Sequence, residues 1–149
     1  MTLSILSILA AVILPSAQLM SKRNKEIELR RDLRMIRNAI DDYKKTNDKL
    51  VADNKITPSL NKNSGYPESF DVLLEGKDFG ELSPEKKKFL RRIPCDPFNT
   101  DKALPCKESW GMRSYIDKPD SSQWGREDLF DVYSKSEETA IDGTKYKDW

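Results

Sequence analysis

Cys95 and Cys106 are the only two cysteines in the chain, with ten residues between them and Pro94, Pro97 and Pro105 stiffening the segment they would close. Thiols at that spacing can form a disulfide in an oxidising compartment or stand free in a reducing one. By themselves they cannot make a four-ligand thiolate site. The chain has no histidine, which excludes a histidine triad and any histidine-bearing zinc site. Glu137 and Glu138 are adjacent and would point to opposite faces of an extended segment, a poor arrangement for an acid–base pair. Lys86-Lys87-Lys88 with Arg91 and Arg92 form a basic run, either a solvated helix face or a partner-binding patch. Trp110, Trp124 and Trp149 suit core and sheet packing better than a ligand platform. No glycine-rich phosphate loop or nucleophile elbow is present, and the chain is expected not to be an enzyme. A net charge of +1 argues against a nucleic-acid partner, which calls for a basic excess on one face.

The elements that would carry these residues begin with a segment free of charge. Met1 to Ser21 hold no Asp, Glu, Lys or Arg, and Leu3, Ile5, Leu6, Ile8, Leu9, Ala10, Val12, Ile13 and Leu14 lead up to Pro15. A helix over Met1–Met20 would be about 30 Å long, enough to cross a hydrocarbon core once. No basic residue precedes the apolar run, unlike a cleaved secretory signal. Ser4, Ser7, Ala10, Ala11 and Ala17 favour close helix–helix approach, which suits a packed filament core as well as a membrane anchor. Pro15 removes one helical hydrogen bond and should kink the helix near Ala11. Lys22, Arg23 and Lys25 follow, and the positive-inside rule would put their side in the cytoplasm. A charged leader before Met1 would reverse that orientation.

Beyond Lys22 the apolar positions Leu29, Leu33, Ile36, Ile40 and Tyr43 recur at spacings of 4, 3, 4 and 3. They mark one face of an amphipathic helix, with Arg30, Arg31, Arg34, Arg37, Asp32, Asp41 and Asp42 on the others. No glycine interrupts Met1–Lys45, so one helix of roughly 65–70 Å is predicted, ended by Thr46-Asn47-Asp48. Arg30, Arg34 and Arg37 should lie outside or in subunit contacts. Asp53 to Gly65 is expected to be an exposed loop. Pro67 to Gly76 should form a short helix burying Phe70, Leu73 and Leu74, and Pro84 to Arg91 a second one burying Phe89 and Leu90. Strands are predicted over Trp110–Ile116 and Leu129–Ser134, with a short final strand over Thr144–Trp149. The fold class is α+β, with residues 1–21 as a transmembrane or filament-core half-helix and 22–149 as the globular domain. That domain must build a small core from few apolar residues.

Together these segments resemble the major pseudopilin of bacterial type II secretion, a member of the type IV pilin superfamily. The resemblance rests on Leu3-Ser4-Ile5-Leu6-Ser7-Ile8-Leu9-Ala10-Ala11-Val12-Ile13-Leu14-Pro15, on Asp32 to Tyr43, and on Gly65-Tyr66-Pro67. Phe89 to Pro97, Phe130 to Ser134, Asp142-Gly143-Thr144 and Trp149 complete it. It implies a long N-terminal helix, half membrane and half amphipathic, packed on a small antiparallel sheet with short helices. It further implies a structural subunit that polymerises through that helix to support protein export across the outer membrane. The implied partners are further copies of the chain, other pseudopilins, a prepilin peptidase, an inner-membrane assembly platform with its ATPase, and membrane lipid. The implied location is the bacterial inner membrane, single-pass, with the domain in the periplasm, where Cys95 and Cys106 would be joined. Closing that loop should stabilise by about 2–3 kcal/mol. A type IV pilin of a surface fibre and a non-polymerising, membrane-anchored periplasmic binding module stay open as alternatives.

Two departures from the family pattern stand out. Aligned on Pro15, the family's leader, its cleavage point before a phenylalanine and the glutamate that follows fall upstream of Met1. The family's calcium loop corresponds to Ser134–Lys145, where Lys145 replaces an expected acid; the candidate ligands are Asp142 within it and Asp148 just beyond it. Hard cations need several oxygens, so a hydrogen-bonded acidic loop is the expectation, and no other cofactor is implied.

Overall fold

The computed structural model describes residues 2–53, 64–77 and 86–149, with side chains from Ala17 onward. Its fold is α+β: one long N-terminal helix, α1 (Thr2–Ala52), lies against a two-stranded antiparallel sheet. The remaining elements are short: α2 (Phe70–Glu75), α3 (Cys106–Ser109), β1 (Trp110–Arg113), β2 (Asp131–Ser134) and a 3-10 turn at Tyr146–Asp148. At 1.5 Å per residue α1 is roughly 75 Å long, and its backbone stays helical through Pro15. Leu29, Leu33, Ile36, Ile40 and Tyr43 are all buried, and Ala39 joins them on the same face. They form the core with Phe70, Leu73, Leu90, Trp110, Leu129, Val132 and Tyr146.

The predicted boundaries need correction in five places, each with a local cause. First, α1 runs past Thr46-Asn47-Asp48. The Thr46 hydroxyl donates back to the Asp42 carbonyl at 2.8 Å, Lys44 pairs with Asp48 one turn on at 2.5 Å, and Leu50 packs on the core. Second, α2 starts at Phe70 rather than Pro67. The Pro67 carbonyl is taken by the Leu129 amide at 2.7 Å, so it cannot open a helical ladder. Leu74 is only half-buried.

Third, residues 86–91 are not helical. The Phe89 and Leu90 amides both donate to the Leu73 carbonyl at 3.0 Å, and Lys87 bridges Lys77 across a close approach at Gly76. Gly76 has φ of 81°, and a Cβ there would meet the Lys87 carbonyl oxygen, so glycine is required twice over. Ser83, Pro84 and Glu85 lie outside the described residues.

Fourth, both strands are shorter than predicted. The Asp117 carboxylate takes the Ser114 amide at 2.7 Å and Asp128 takes the Tyr115 amide at 2.9 Å, ending β1 at Arg113. Fifth, Thr144–Trp149 holds one bridge, Lys145 to Thr139, and then tightens into the 3-10 turn, with the Asp148 amide on the Lys145 carbonyl at 3.0 Å. The Tyr146 ring is thereby stacked on Phe98, centroids 3.9 Å apart.

In the sheet Trp110 pairs with Ser134, Gly111 with Tyr133, Met112 with Val132 and Arg113 with Asp131. The Tyr133 ring lies across Gly111 where any Cβ would be, and the Arg113 guanidinium covers that ring at 4.0 Å. Ile36 has no exposed surface beneath β2. Ile36→Ala should therefore cost about 2–5 kcal/mol in denaturant melts, and a loss under about half a kcal/mol would show that this face is not core.

Candidate functional site

Of the residues expected to build a filament or membrane contact, Leu3, Ile5, Leu6, Ile8, Leu9, Ala10, Val12, Ile13, Leu14 and Pro15 belong to the α1 backbone. Their side chains lie outside the described residues. Among the described residues no helix is long and apolar enough to cross a membrane. From Lys22 onward α1 is tied to the C-terminal segment. Lys22 Nζ donates to the Thr139 carbonyl at 2.6 Å, and Glu26 Oε1 accepts both the Tyr146 hydroxyl and the Ile141 amide at 2.8 Å. Burial, reinforced by that bond to Glu26, holds the Tyr146 hydroxyl well above its ordinary range. Arg30 pairs with Asp142 at 3.1 Å and lies over the Trp149 ring at 3.9 Å.

Arg37 is the most engaged of these side chains, and it corrects the expectation that it lies outside. Its Nε donates to Asp131 Oδ1 at 2.7 Å. Its terminal nitrogen reaches Asp131 Oδ2 at 3.4 Å, the Val132 carbonyl at 3.0 Å and the Trp149 carbonyl at 2.7 Å. One guanidinium thus joins α1, β2 and the last residue of the chain. Arg34, three residues away, is exposed.

Cys95 and Cys106 are disulfide-bonded, with Cα atoms 4.3 Å apart. Cys106 opens α3, a single helical turn over Cys106–Ser109. Within it Ser109 Oγ donates to the Cys106 carbonyl at 2.7 Å and accepts the Asp96 amide at 3.1 Å. Asp96 is buried; its Oδ1 accepts the Phe98 amide at 2.8 Å and its Oδ2 the Ser134 hydroxyl at 2.6 Å. Burial pushes the Asp96 carboxyl above the ordinary range and the nearby charge of Asp32 adds to this, while the Ser134 and Phe98 bonds pull it back. Asp32 is itself buried, against its expected place on a polar face, and accepts from Arg31 Nε at 3.2 Å. A cleft of about 520 Å³ opens beside Asp96, Phe98 and Lys135. Both Asp96 oxygens are spent on the chain's own donors, so the arrangement locks strand to loop.

The two candidate calcium ligands have different surroundings. Asp142 Oδ1 accepts the Thr144 hydroxyl and amide, which together with Arg30 hold its carboxyl below the ordinary range. Asp148 is exposed in the 3-10 turn. Among the described residues no three His, Cys, Asp or Glu side chains stand where they could hold a metal. Glu138 is exposed, and Glu137 pairs with Lys147 at 3.0 Å. Lys86, Lys87 and Lys88 are exposed on irregular backbone rather than a helix face, and Lys87 Nζ reaches the Thr46 hydroxyl at 2.9 Å. Trp110 is fully buried with its Nε1 on the Pro94 carbonyl, while Trp124 donates to the Asp128 carbonyl.

Two apolar surfaces are left uncovered by the described residues. Tyr66, Tyr115 and Phe130 form a three-ring cluster with centroids 5.0–5.9 Å apart, beside exposed Ile116 and under Lys44. Leu19, Met20 and Ile141 form the second, where α1 leaves the domain. Periodicity could not find either surface, because each joins residues far apart in the chain. Set against protein-family models, curated proteins and solved structures, the chain matches none of them.

Removing the Arg37 charge takes the closer of two cations from the Asp131 carboxylate and the guanidinium donor from two carbonyls. Arg37→Gln should cost about 2–3 kcal/mol in urea melts, whereas Arg34→Gln should stay within about 0.5 kcal/mol. Equal losses at the two positions would contradict the clamp.

A carboxyl whose folded pKa is raised contributes stability while protonated and loses it as pH rises through that pKa. Asp96→Asn should therefore gain on the parent chain as pH climbs from 3.8, the ordinary aspartate value, toward neutrality. Urea midpoints of both proteins across that range check this, and a gap independent of pH would refute the raised pKa.

Proposed function

We propose that the chain is a structural, non-enzymatic subunit that polymerises through the N-terminal half of α1, in the manner of the pseudopilins of type II secretion. The observation that carries this is one helix running unbroken from an uncharged segment into the core of a small disulfide-closed domain. A segment without charge must be covered by lipid or by its own kind, and its small residues suit the second as readily as the first. The disulfide fits a domain facing an oxidising space, which in this reading is the periplasm, with the subunit stored in the inner membrane before assembly. Other pseudopilins, a prepilin peptidase, an assembly platform and membrane lipid are its partners under the same reading, and nucleic acid is not.

Replacing Leu9 or Ala10 by Arg should abolish filaments while the domain keeps its fold and its disulfide. A charge in such a packed tail costs roughly 2.5–3.5 kcal/mol even on the milder insertion scale. Normal filaments from either variant would sink the polymerisation reading. Long surface fibres at native expression would replace the pseudopilus with a pilus. Tails that never crosslink to one another would leave an anchored, non-polymerising module.

A further inference from the structure

We propose that the base of the domain seats on anionic phospholipid headgroups, with the turn at Ile141 placed beside α1 as a second contact with the bilayer. The proposal rests on the membrane-stored reading above and adds the surface and the lipid chemistry. A groove of about 590 Å³ runs between Leu19, Met20 and Arg23 on α1 and Ile141 and Asp142 on the turn. Its apolar walls are open to water: Leu19 is 57% exposed, Met20 61% and Ile141 49%, and Ile27, about two turns beyond Met20 and outside the groove, is 59% exposed. Ile141 comes from more than a hundred residues away in sequence, yet its amide is fixed to α1 through Glu26 at 2.8 Å. Its position is set before any partner arrives, which lowers the ordering cost of contact.

Charge decides what the partner is. The groove's two acids are already engaged, Glu26 by Tyr146 and the Ile141 amide, Asp142 by Thr144 and Arg30. Of its two cations, Arg30 is paired with Asp142, while Arg23 has no ion pair among the described residues. Beside the groove, Lys22 donates to the Thr139 carbonyl and Lys25 sits over the Phe98 ring at 5.7 Å, neither of them in an ion pair among the described residues. At about 100° per residue, positions 22, 23 and 25 form a partial collar, an arc of about 160° on one side of the helix, where the uncharged segment ends. Cations above apolar side chains match a headgroup layer, phosphate against the collar and the acyl boundary against Leu19, Met20 and Ile141. A protein surface would have to bring its own acids to meet the same collar.

The test uses the full chain with its disulfide intact, so that a single added cysteine can be labelled. An environment-sensitive fluorophore is placed at Ile141→Cys or, as control, at Ile116→Cys beside the aromatic cluster. Each protein is reconstituted into vesicles of pure phosphatidylcholine, or of equal parts phosphatidylcholine and phosphatidylglycerol. Flotation reports anchoring, while emission shift and shielding from a neutral aqueous quencher report seating. We expect shielding at 141 and not at 116, stronger in the anionic vesicles. In the Arg23→Gln/Lys25→Gln protein, seating should weaken by roughly fivefold for each charge removed. Intact flotation with equal exposure at 141 and 116 would overturn the seating and leave the anchor standing. Failure to float would overturn the anchor and the seating with it. Shielding that follows the protein-to-lipid ratio and ignores lipid charge would assign the groove to a second copy and overturn the lipid assignment.

Discussion

The Arg37 guanidinium is the point through which the long helix, the sheet and the end of the chain are joined. A two-stranded sheet with four residues per strand does not hold itself together in water. Here β2 is held from below by α1, and the polar half of that contact is Arg37 on the Asp131 carboxylate and the Val132 carbonyl. The same side chain reaches the Trp149 carbonyl, so the C-terminal segment returns to the helix that opens the chain. Charge-assisted bonds of this kind are about twice as strong as neutral ones. Because Arg37 and Asp131 are about two-thirds or more covered, solvent screens them less than the exposed pairs elsewhere on α1. Arg113 approaches the same carboxylate at 3.6 Å, so one acid organises two cations from two elements.

Four aspartates of this chain serve as backbone caps. Asp117 holds the Ser114 and Gly125 amides, Asp128 the Tyr115 amide, Asp96 the Phe98 amide and Asp142 the Thr144 amide. Each ends a strand or tightens a turn where a longer sheet would otherwise have supplied the partner. This is how a domain with a small apolar core can still leave no buried side-chain nitrogen or oxygen unpaired among the described residues. The Cys95–Cys106 bond closes the loop around one of the two buried carboxylates among these, so covalent closure and the Asp96 lock act on the same segment.

Legibility in the sequence followed the range of the interactions. The α1 stripe from Leu29 to Tyr43 was readable because a helix face repeats locally, and two cysteines with no others to choose from left one possible pairing within the chain. Asp32 was unreadable: it has the composition of a solvent face but lies beneath Asp96, a residue on a distant loop. Arg34 and Arg37 look alike in sequence, and only the arrival of β2 separates them. The second short helix failed for a related reason, since Phe89 and Leu90 give their amides to Leu73 instead of continuing their own ladder. Strand ends set by Asp117 and Asp128 were missed because side-chain caps compete with sheet pairing and leave no periodic trace.

The two uncovered apolar surfaces lie at different heights on α1. One is beside Leu19 and Met20, the other reaches Lys44 through Tyr66, and the helix between them spans roughly 35 Å. They are chemically unlike, aliphatic with a cationic collar at one level and a cluster of three aromatic rings at the other. A two-fold dimer buries the same patch on both partners, whereas a head-to-tail contact joins unlike patches and propagates unless its rotation closes a ring. Under the proposed function, unlike surfaces at separate levels supply the asymmetry that open assembly requires, the aliphatic one only after it leaves the lipid on which it is proposed to seat. The uncharged half-helix would supply the remaining condition under the proposed function, a common axis along which successive subunits can be staggered.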